Sequence, residues 1–273
     1  MPTFTFNPQT TEYQPQHAYW LGKAASLAYR DEAVIRAETA AWGFDRFQFY
    51  YSKHKPPFLI DDTQAYTIAN DQMIITAFRG TTPTMISDWL TDANTPAVPG
   101  PGKKGLVHLG FNLALGSVYP SIGDKIRELR TNNQTLWFTG HSLGAALAML
   151  AAARMHFEDP KLLASGVYTF GQPRTFDHLF AKAYDADLKP RTFRFVNNND
   201  IVPHAPPDEV IYHHAGTLMY FDVDGKLHDK WPFWNDLKDK FKGLTSSWLA
   251  PGTDGIRDHS MDRYLANLEK NLV

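Results

Sequence analysis

A pentapeptide of the pattern G-x-S-x-G at residues 140–144 places Ser142 at its centre. An apolar run, 135–139, precedes it, and an alanine-rich segment, 145–155, follows it. This order predicts a strand, a sharp turn and a helix, the setting in which a serine hydroxyl is presented as a nucleophile. Glycines on both sides relieve the crowding of such a turn, and the helix N-terminus favours developing negative charge beside the serine.

A serine hydroxyl becomes a good nucleophile only when a base takes its proton, and the base needs an orienting acid. In chains with a serine at such a turn, the acid and then the base follow it in sequence. Asp200 comes shortly after the predicted strand 191–196, and catalytic groups in open α/β sheets collect at the carboxyl ends of strands. Asp200 is therefore the predicted acid, with Asp177 and Asp208 as weaker alternatives.

Two of the histidines that follow Asp200 are candidates for the base. His228 comes just after the last predicted strand, and His259 comes just before the last predicted helix. A loop in either place could fold back over the serine. The residues alone favour His259 and leave His228 open, ahead of three further histidines, His204, His213 and His214.

The elements that must position these residues alternate between strand and helix in the second half of the chain. Strands are predicted at 65–69 and 73–78, joined by a turn at Asn70-Asp71, and at 135–139, 167–170, 191–196 and 217–223. Helices are predicted at 16–43, at 110–130 with a break or bend near Pro120, and at 145–155, 177–184, 231–248 and 260–272. Such alternation predicts an α/β fold with a central sheet covered by helices on both faces. No polar linker separates two cores, so residues 1–273 are predicted to form a single domain.

Composition excludes several function classes. The 27 Lys and Arg against 29 Asp and Glu give a net charge of −2, which argues against general nucleic-acid binding. The chain has no cysteine, so disulfides and thiolate metal sites are impossible. No run approaches the ~18 apolar residues that predict a membrane span, and the first residues lack the features of a signal peptide. A G-x-G-x-x-G match at 100–105 follows no predicted strand, so no dinucleotide cofactor is predicted. No metal site is predicted either.

Five motifs occur in an order that resembles the class 3 lipases, the filamentous-fungal type of triacylglycerol lipase. The resemblance covers about residues 60–260 and rests on the serine pentapeptide together with Phe78-Arg79-Gly80-Thr81, Val107-His108-Leu109-Gly110-Phe111, Phe170-Gly171-Gln172-Pro173-Arg174 and Asn199-Asp200-Ile201-Val202-Pro203-His204. It implies the α/β-hydrolase fold, with a mostly parallel central sheet, helices on both faces and a short helical lid.

The resemblance also implies which residues form the site. The family's catalytic triad falls on Ser142, Asp200 and His259, which favours His259 over His228. An oxyanion hole is implied at the backbone N–H of Leu143 and at Thr81, which follows the predicted strand 73–78.

The resemblance implies a serine carboxylic-ester hydrolase, most directly a triacylglycerol lipase that works through an acyl-enzyme without cofactor or metal. Its substrate would be a lipid or ester, met at a lipid–water interface. A feruloyl or short-chain esterase or a phospholipase with the same triad is the alternative, and a non-catalytic lipid-binding hydrolase fold is another. Secretion is plausible from the resemblance, although many secreted relatives carry disulfides and this chain has none.

A lid and hinge loop is predicted at 82–106 within the single domain. Residues 83–90 are predicted to form a short helix in which Thr82 caps the N-terminus. One face of this helix is apolar and would cover the serine in water; it consists of Met85, Ile86, Trp89 and Leu90.

Overall fold

The computed structural model describes residues 3–54, 60, 62–81, 96–206, 211–229 and 254–272 of the chain. The predicted lid residues Met85, Ile86, Trp89 and Leu90 lie outside the described residues, and so does the predicted helix 231–248.

A mostly parallel sheet forms the centre of the described structure. Its eight strands lie in the order β1-β2-β3-β6-β7-β8-β9-β10. Their bounds are β1 Arg46–Lys53, β2 Asp62–Ala69, β3 Met73–Phe78, β6 Thr135–His141, β7 Gly166–Phe170, β8 Thr192–Asn197, β9 Thr217–Phe221 and β10 Leu227–His228. The strands β3, β6, β7, β8 and β9 run parallel to their neighbours, whereas β1, β2 and β10 pair antiparallel. Two short strands, β4 Ala97–Pro99 and β5 Leu106–His108, form a separate antiparallel pair.

Helices cover both faces of the sheet, as predicted. Their bounds are α1 Pro15–Leu27, α2 Glu32–Ala41, α3 Leu109–Gly116, α4 Tyr119–Leu129, α5 Leu143–Glu158, α6 His178–Leu188, α7 Asp254–Asp258 and α8 Met261–Lys270. The helices α3 to α6 bury their apolar residues in one core, and α1 and α8 bury theirs in a second core on the other face. No described helix is long and apolar enough to cross a membrane.

The neighbouring central strands β3 and β6 are rich in apolar residues because both of their faces are buried. Consecutive side chains of a strand point to opposite faces. Accordingly Ile74 and Phe138 belong to the core beside α5, whereas their neighbours Ile75 and Trp137 belong to the core beside α1. The predicted strands 73–78 and 135–139 are confirmed and pair in parallel.

Several local predictions are confirmed, and the structure refines others. Asn70 forms the predicted turn between β2 and β3, where its Oδ1 accepts hydrogen bonds from the backbone of Gln72 and Met73. The helix predicted over 110–130 is two helices, and Pro120 lies in the first turn of the second, where its missing N–H costs nothing.

Candidate active site

The backbone at Ser142 takes the strained conformation that the pentapeptide predicts. Ser142 lies between β6 and α5 with φ 58° and ψ −129°, a region that residues with a side chain rarely occupy. Its N–H donates to the carbonyl of Phe170 at 2.9 Å, and its own carbonyl accepts from Ala145 N–H at 3.0 Å. These hydrogen bonds tie the turn to β7 on one side and to the first turn of α5 on the other.

Neither glycine of the pentapeptide could carry a side chain without a collision with nearby backbone atoms. A Cβ at Gly140 would collide with the backbone of Gly144, which is the crowding expected across the turn. A Cβ at Gly144 would collide with the backbone of Phe78 and Arg79 at the end of β3. Gly144 therefore allows the serine turn, residues 140–144 and called the elbow below, to lie directly against the end of β3.

Asp200 and His259 form a buried pair although 59 residues separate them. Nδ1 of His259 lies 2.9 Å from Oδ2 and 3.0 Å from Oδ1 of Asp200. An ionised carboxylate only accepts hydrogen bonds, so Nδ1 carries the proton and Nε2 is left as the basic nitrogen. Nε2 is buried and has no hydrogen-bond partner among the residues that the structure describes.

The structure brings His259 next to the elbow without joining it to Ser142 by a hydrogen bond. The imidazole rings of His259 and His141, the residue before the serine, lie 4.4 Å apart between centroids. A Cβ at Gly171 would lie 2.7 Å from Nδ1 of His259, and Gly171 follows Phe170, whose carbonyl binds Ser142. Hydrogen bonds between a nucleophile and its base are often loose before substrate binds.

The carboxylate of Asp200 is fully buried and has two further donors. Its Oδ1 accepts from Val202 N–H at 2.9 Å, and its Oδ2 accepts from the hydroxyl of Tyr264 at 2.5 Å. Burial, and then the neighbouring charge of Asp200, raise the pKa of Tyr264 well above its usual value, so the phenol remains a donor. A buried charge is tolerated when hydrogen bonds replace its hydration, and these contacts do so.

The alternative acids and bases lie elsewhere or outside the description. Nε2 of His228 donates to Oδ2 of Asp222 at 2.7 Å, within the hairpin between β9 and β10. Asp177 caps α6 by accepting from Phe180 N–H at 2.7 Å. Asp208 falls outside the described residues.

The two predicted oxyanion donors lie on the two sides of the elbow. Leu143 is the first residue of α5, where backbone N–H groups have no acceptor within the helix. Thr81 follows the end of β3, and a Cβ at the preceding Gly80 would lie 2.9 Å from Cβ of Ser142. Thr81 and His259 both line a cleft of about 560 Å³.

Sequence reasoning missed three residues around this site. Tyr264 holds Asp200, while Tyr29 and His141 form a second hydrogen-bonded group behind His259. The hydroxyl of Tyr29 lies 2.7 Å from Nδ1 of His141, and Nε2 of His141 lies 2.6 Å from the carbonyl oxygen of His259. The place of His141 inside the pentapeptide was a usable signal, whereas the two tyrosines carry none in the sequence.

In the part of the chain that the structure describes, no three His, Asp or Glu side chains are grouped to hold a metal ion.

Strand β6 of the mostly parallel sheet runs into a strained serine turn that leads into α5, which is the arrangement of the α/β-hydrolase fold. Solved structures share this fold. The chain resembles the structure of Rhizomucor miehei triacylglyceride lipase with a TM-score of 0.62 at 24% identity, over 88% of this chain and 90% of that one. A triacylglycerol lipase structure described as having a serine protease triad as its catalytic centre gives a TM-score of 0.61 at 25% identity, with the same coverage.

The sequence comparisons agree with the structural ones. The model of the family "Lipase (class 3)" matches residues 75–210. The triacylglycerol lipase OBL1 of Ricinus communis is 32% identical over an alignment 260 positions long, and the match covers 73% of this chain and 48% of that protein. The lipase of Rhizomucor miehei is 35% identical over 167 residues, which cover 58% of this chain and 45% of that protein. The chain belongs to the class 3 lipase family, and it spans about half the length of the curated relatives it matches.

Proposed function

We propose that this protein is a serine carboxylic-ester hydrolase, with Ser142 as nucleophile, His259 as base and Asp200 as the orienting acid. One observation carries the proposal: a buried Asp200–His259 pair with a basic Nε2 lies beside a strained serine turn. Membership of the class 3 lipase family supports the same conclusion.

In the first half-reaction, Ser142 Oγ attacks the ester carbonyl carbon while its proton passes to Nε2 of His259. The carbonyl oxygen becomes an oxyanion, which accepts hydrogen bonds from the N–H groups of Leu143 and Thr81. His259, now an imidazolium held by Asp200, gives the proton to the alcohol oxygen as the ester C–O bond breaks. The alcohol leaves, and the acyl group remains on the serine.

In the second half-reaction, water takes the place of the alcohol. His259 accepts one proton from the water as its oxygen attacks the acyl carbon, and the oxyanion forms in the same hole. The proton then passes to Ser142 Oγ as the acyl–enzyme bond breaks, releasing the carboxylic acid. The enzyme returns to its initial protonation state.

The substrate class we favour is acylglycerol, because relatives over most of this chain are named triacylglycerol lipases. The lid predicted at 82–106 fits a lipid substrate, since its apolar face would turn toward a lipid surface. It remains a prediction, as residues 82–95 lie outside the described structure.

A second candidate, an esterase for polar alcohols, is favoured by the lining of the cleft that reaches His259. Part of the lining is charged and comes from α1, α2, α8 and the turn between α1 and α2, namely Lys23, Arg30, Glu38 and Asp262. The rest is largely apolar and includes Leu27, Trp42, Ile256, Met261 and Leu265. His259 gives its proton to the leaving alcohol, so a lining that is part charged and part apolar on its side favours an alcohol half with both hydroxyl groups and an acyl chain, such as a partial acylglycerol.

Hydrolysis of p-nitrophenyl esters of increasing acyl length, below and above the concentration at which they form an interface, tests the proposal. A lipase gains activity with longer chains and at the interface, whereas a short-chain esterase prefers acetate and gains nothing there. Ser142→Ala serves as the matched control and should lose both turnover and labelling by a fluorophosphonate. A wild-type protein that neither hydrolyses esters nor reacts with the fluorophosphonate would instead be a non-catalytic member of the fold.

A further inference from the structure

His141 is a buried imidazole whose protonation state is fixed by its neighbours. Its Nε2 lies 2.6 Å from the carbonyl oxygen of His259, and a carbonyl oxygen only accepts. Nε2 therefore carries a proton. Nδ1 of the neutral ring is then an acceptor, and the hydroxyl of Tyr29 donates to it at 2.7 Å. The contacts at both ring nitrogens thus select one neutral tautomer.

The ring of His141 faces the ring of His259, with centroids 4.4 Å apart and an angle of 33° between the planes. In the proposed reaction His259 becomes positively charged twice in each turnover. A second positive charge at this distance would oppose that step, whereas a neutral ring does not. Burial and the proximity of His259 both lower the pKa of His141 well below its usual value, in agreement with a ring that stays neutral.

The groups that face His141 come from three parts of the chain. Tyr29 follows α1, His259 precedes α8, and Tyr264 of α8 lies with its ring centroid 6.1 Å from that of His141. Asp200 contacts Nδ1 of His259 and the hydroxyl of Tyr264. Burial raises the pKa of the Tyr29 hydroxyl, and the nearby Arg79 opposes this by a smaller amount. Among the described residues no carboxylate is hydrogen-bonded to the His141 ring, so nothing there would balance a charge on it.

We propose that Tyr29 and His141 are positioning residues for the active site: Tyr29 holds His141 in its neutral Nε2–H form, and His141 anchors the main chain of His259 and presents an uncharged ring to it. This inference rests on the proposed function. The pair also lies against the predicted oxyanion hole. The Tyr29 hydroxyl is so close to Gly80, the residue before the predicted donor Thr81, that a Cβ at Gly80 would collide with it.

The variant Tyr29→Phe tests the pair, since it removes one hydroxyl from a side chain that is 38% exposed and leaves the packing of the ring intact. Without the donor at Nδ1, the pKa of His141 rises from its lowered value, although burial still holds it below its ordinary value. We therefore expect kcat for ester hydrolysis to drop relative to wild type by about tenfold at the acid end of the profile, near pH 5, and to change little above pH 7, with KM little changed. Tyr51→Phe, an exposed phenol on the edge strand β1, is the matched control and should follow the wild-type pH profile.

A second variant separates this mechanism from a general structural defect. His141→Phe keeps a ring against His259 but cannot be charged. In that background Tyr29→Phe should add no further pH dependence, because its effect acts through His141. Equal pH profiles for Tyr29→Phe and wild type would overturn the inference, as would a pH effect of Tyr29→Phe that persists with Phe at position 141.

A measurement that does not depend on turnover completes the test. In the Ser142→Ala protein, ¹⁵N spectra of labelled histidine should show His141 protonated at Nε2 alone, both at pH 7 and at pH 6. A ring protonated at Nδ1 or at both nitrogens would overturn the inference while leaving the proposed function standing. A wild-type protein inactive on every ester would overturn both.

Discussion

The hydroxyl of Tyr264 donates a 2.5 Å hydrogen bond to Oδ2 of Asp200, the same oxygen that lies 2.9 Å from Nδ1 of His259. Tyr264 belongs to α8, which begins at Met261, two residues after His259. One short segment of the chain therefore supplies two of the donors that hold the buried carboxylate. The docking of α8 against α1 thus fixes the acid and the base of the candidate site together.

The variant Tyr264→Phe should lose stability as well as activity. Asp200 stays buried with one donor fewer, and hydrogen bonds to charged groups contribute about 2 kcal/mol. We expect the free energy of unfolding, measured by urea denaturation, to fall by about that amount, and kcat to fall with it. Tyr220→Phe is the matched control, because Tyr220 is also buried but donates to a neutral group, Asn198 Oδ1. Equal losses in the two variants would contradict the role given to the carboxylate.

Replacing Ser142 by glycine should stabilise the fold relative to replacing it by alanine. Both variants lack the nucleophile, so both should be inactive. Glycine adopts φ 58° and ψ −129° with little strain, whereas such conformations cost other residues about 1–3 kcal/mol. The greater entropy of glycine in the unfolded chain offsets part of the relieved strain. We therefore expect the free energy of unfolding of Ser142→Gly to exceed that of Ser142→Ala by about 1 kcal/mol. If alanine is the more stable, the serine turn stores no strain.

Adding a single methyl group at Gly144 should be severely destabilising. Its Cβ would collide with the backbone at the end of β3, which cannot move without displacing the centre of the sheet. We expect Gly144→Ala to unfold or to lose several degrees in Tm. Gly116→Ala, at the end of α3 where nothing lies within 4 Å of the new Cβ, should instead be neutral or slightly stabilising. Thermal melts of both variants decide the point, and a Gly144→Ala protein as stable as wild type would contradict the steric argument.

The sequence predicted the local parts of the site better than its tertiary parts. The serine turn depends on neighbouring residues, so its pentapeptide and flanking patterns were sufficient. Asp200 was identified because its chain position places it at a strand end. Tyr29 could not be identified, because only the packing of α1 on the sheet brings it beside His141, 112 residues later.

Several elements of the fold were also missed, among them three strands and the short elements β10 and α7. The edge strand β1 carries aromatic residues at alternate positions, Phe47 and Phe49, so a period-two signal was present but was not used. The short strands β4 and β5 lie in a segment rich in proline and glycine, where three-residue strands leave no periodicity to detect.

His17 is a buried histidine away from the candidate site, and its surroundings are aromatic. It is 1% exposed, with its ring centroid 4.0 Å from that of Phe6 and 5.0 Å from that of Trp137. Burial lowers the pKa of His17 from 6.5 to about 4, and a backbone contact with Asn7 opposes this only in part. The N-terminal segment that carries Phe6 therefore packs against a ring that must remain neutral.

The variant His17→Phe should make the stability of the fold less sensitive to acid. Because the folded-state pKa of His17 lies below its unfolded value, the unfolded chain binds a proton that the native protein does not, and stability falls as the pH drops from 6.5 to about 4. At 1.36 kcal/mol per pKa unit this loss is about 3 kcal/mol.

Urea denaturation at pH 7 and pH 4 measures this loss. The difference in unfolding free energy between the two pH values should be smaller in His17→Phe than in wild type by about that amount, whereas the exposed control His178→Gln should behave as wild type. Other histidines, among them His141, His204 and His214, also have lowered pKa values, so both proteins should keep a residual acid sensitivity. Only the difference between the two proteins reports on His17. An identical loss in both proteins would show that His17 takes up its proton in the native state as easily as in the unfolded chain.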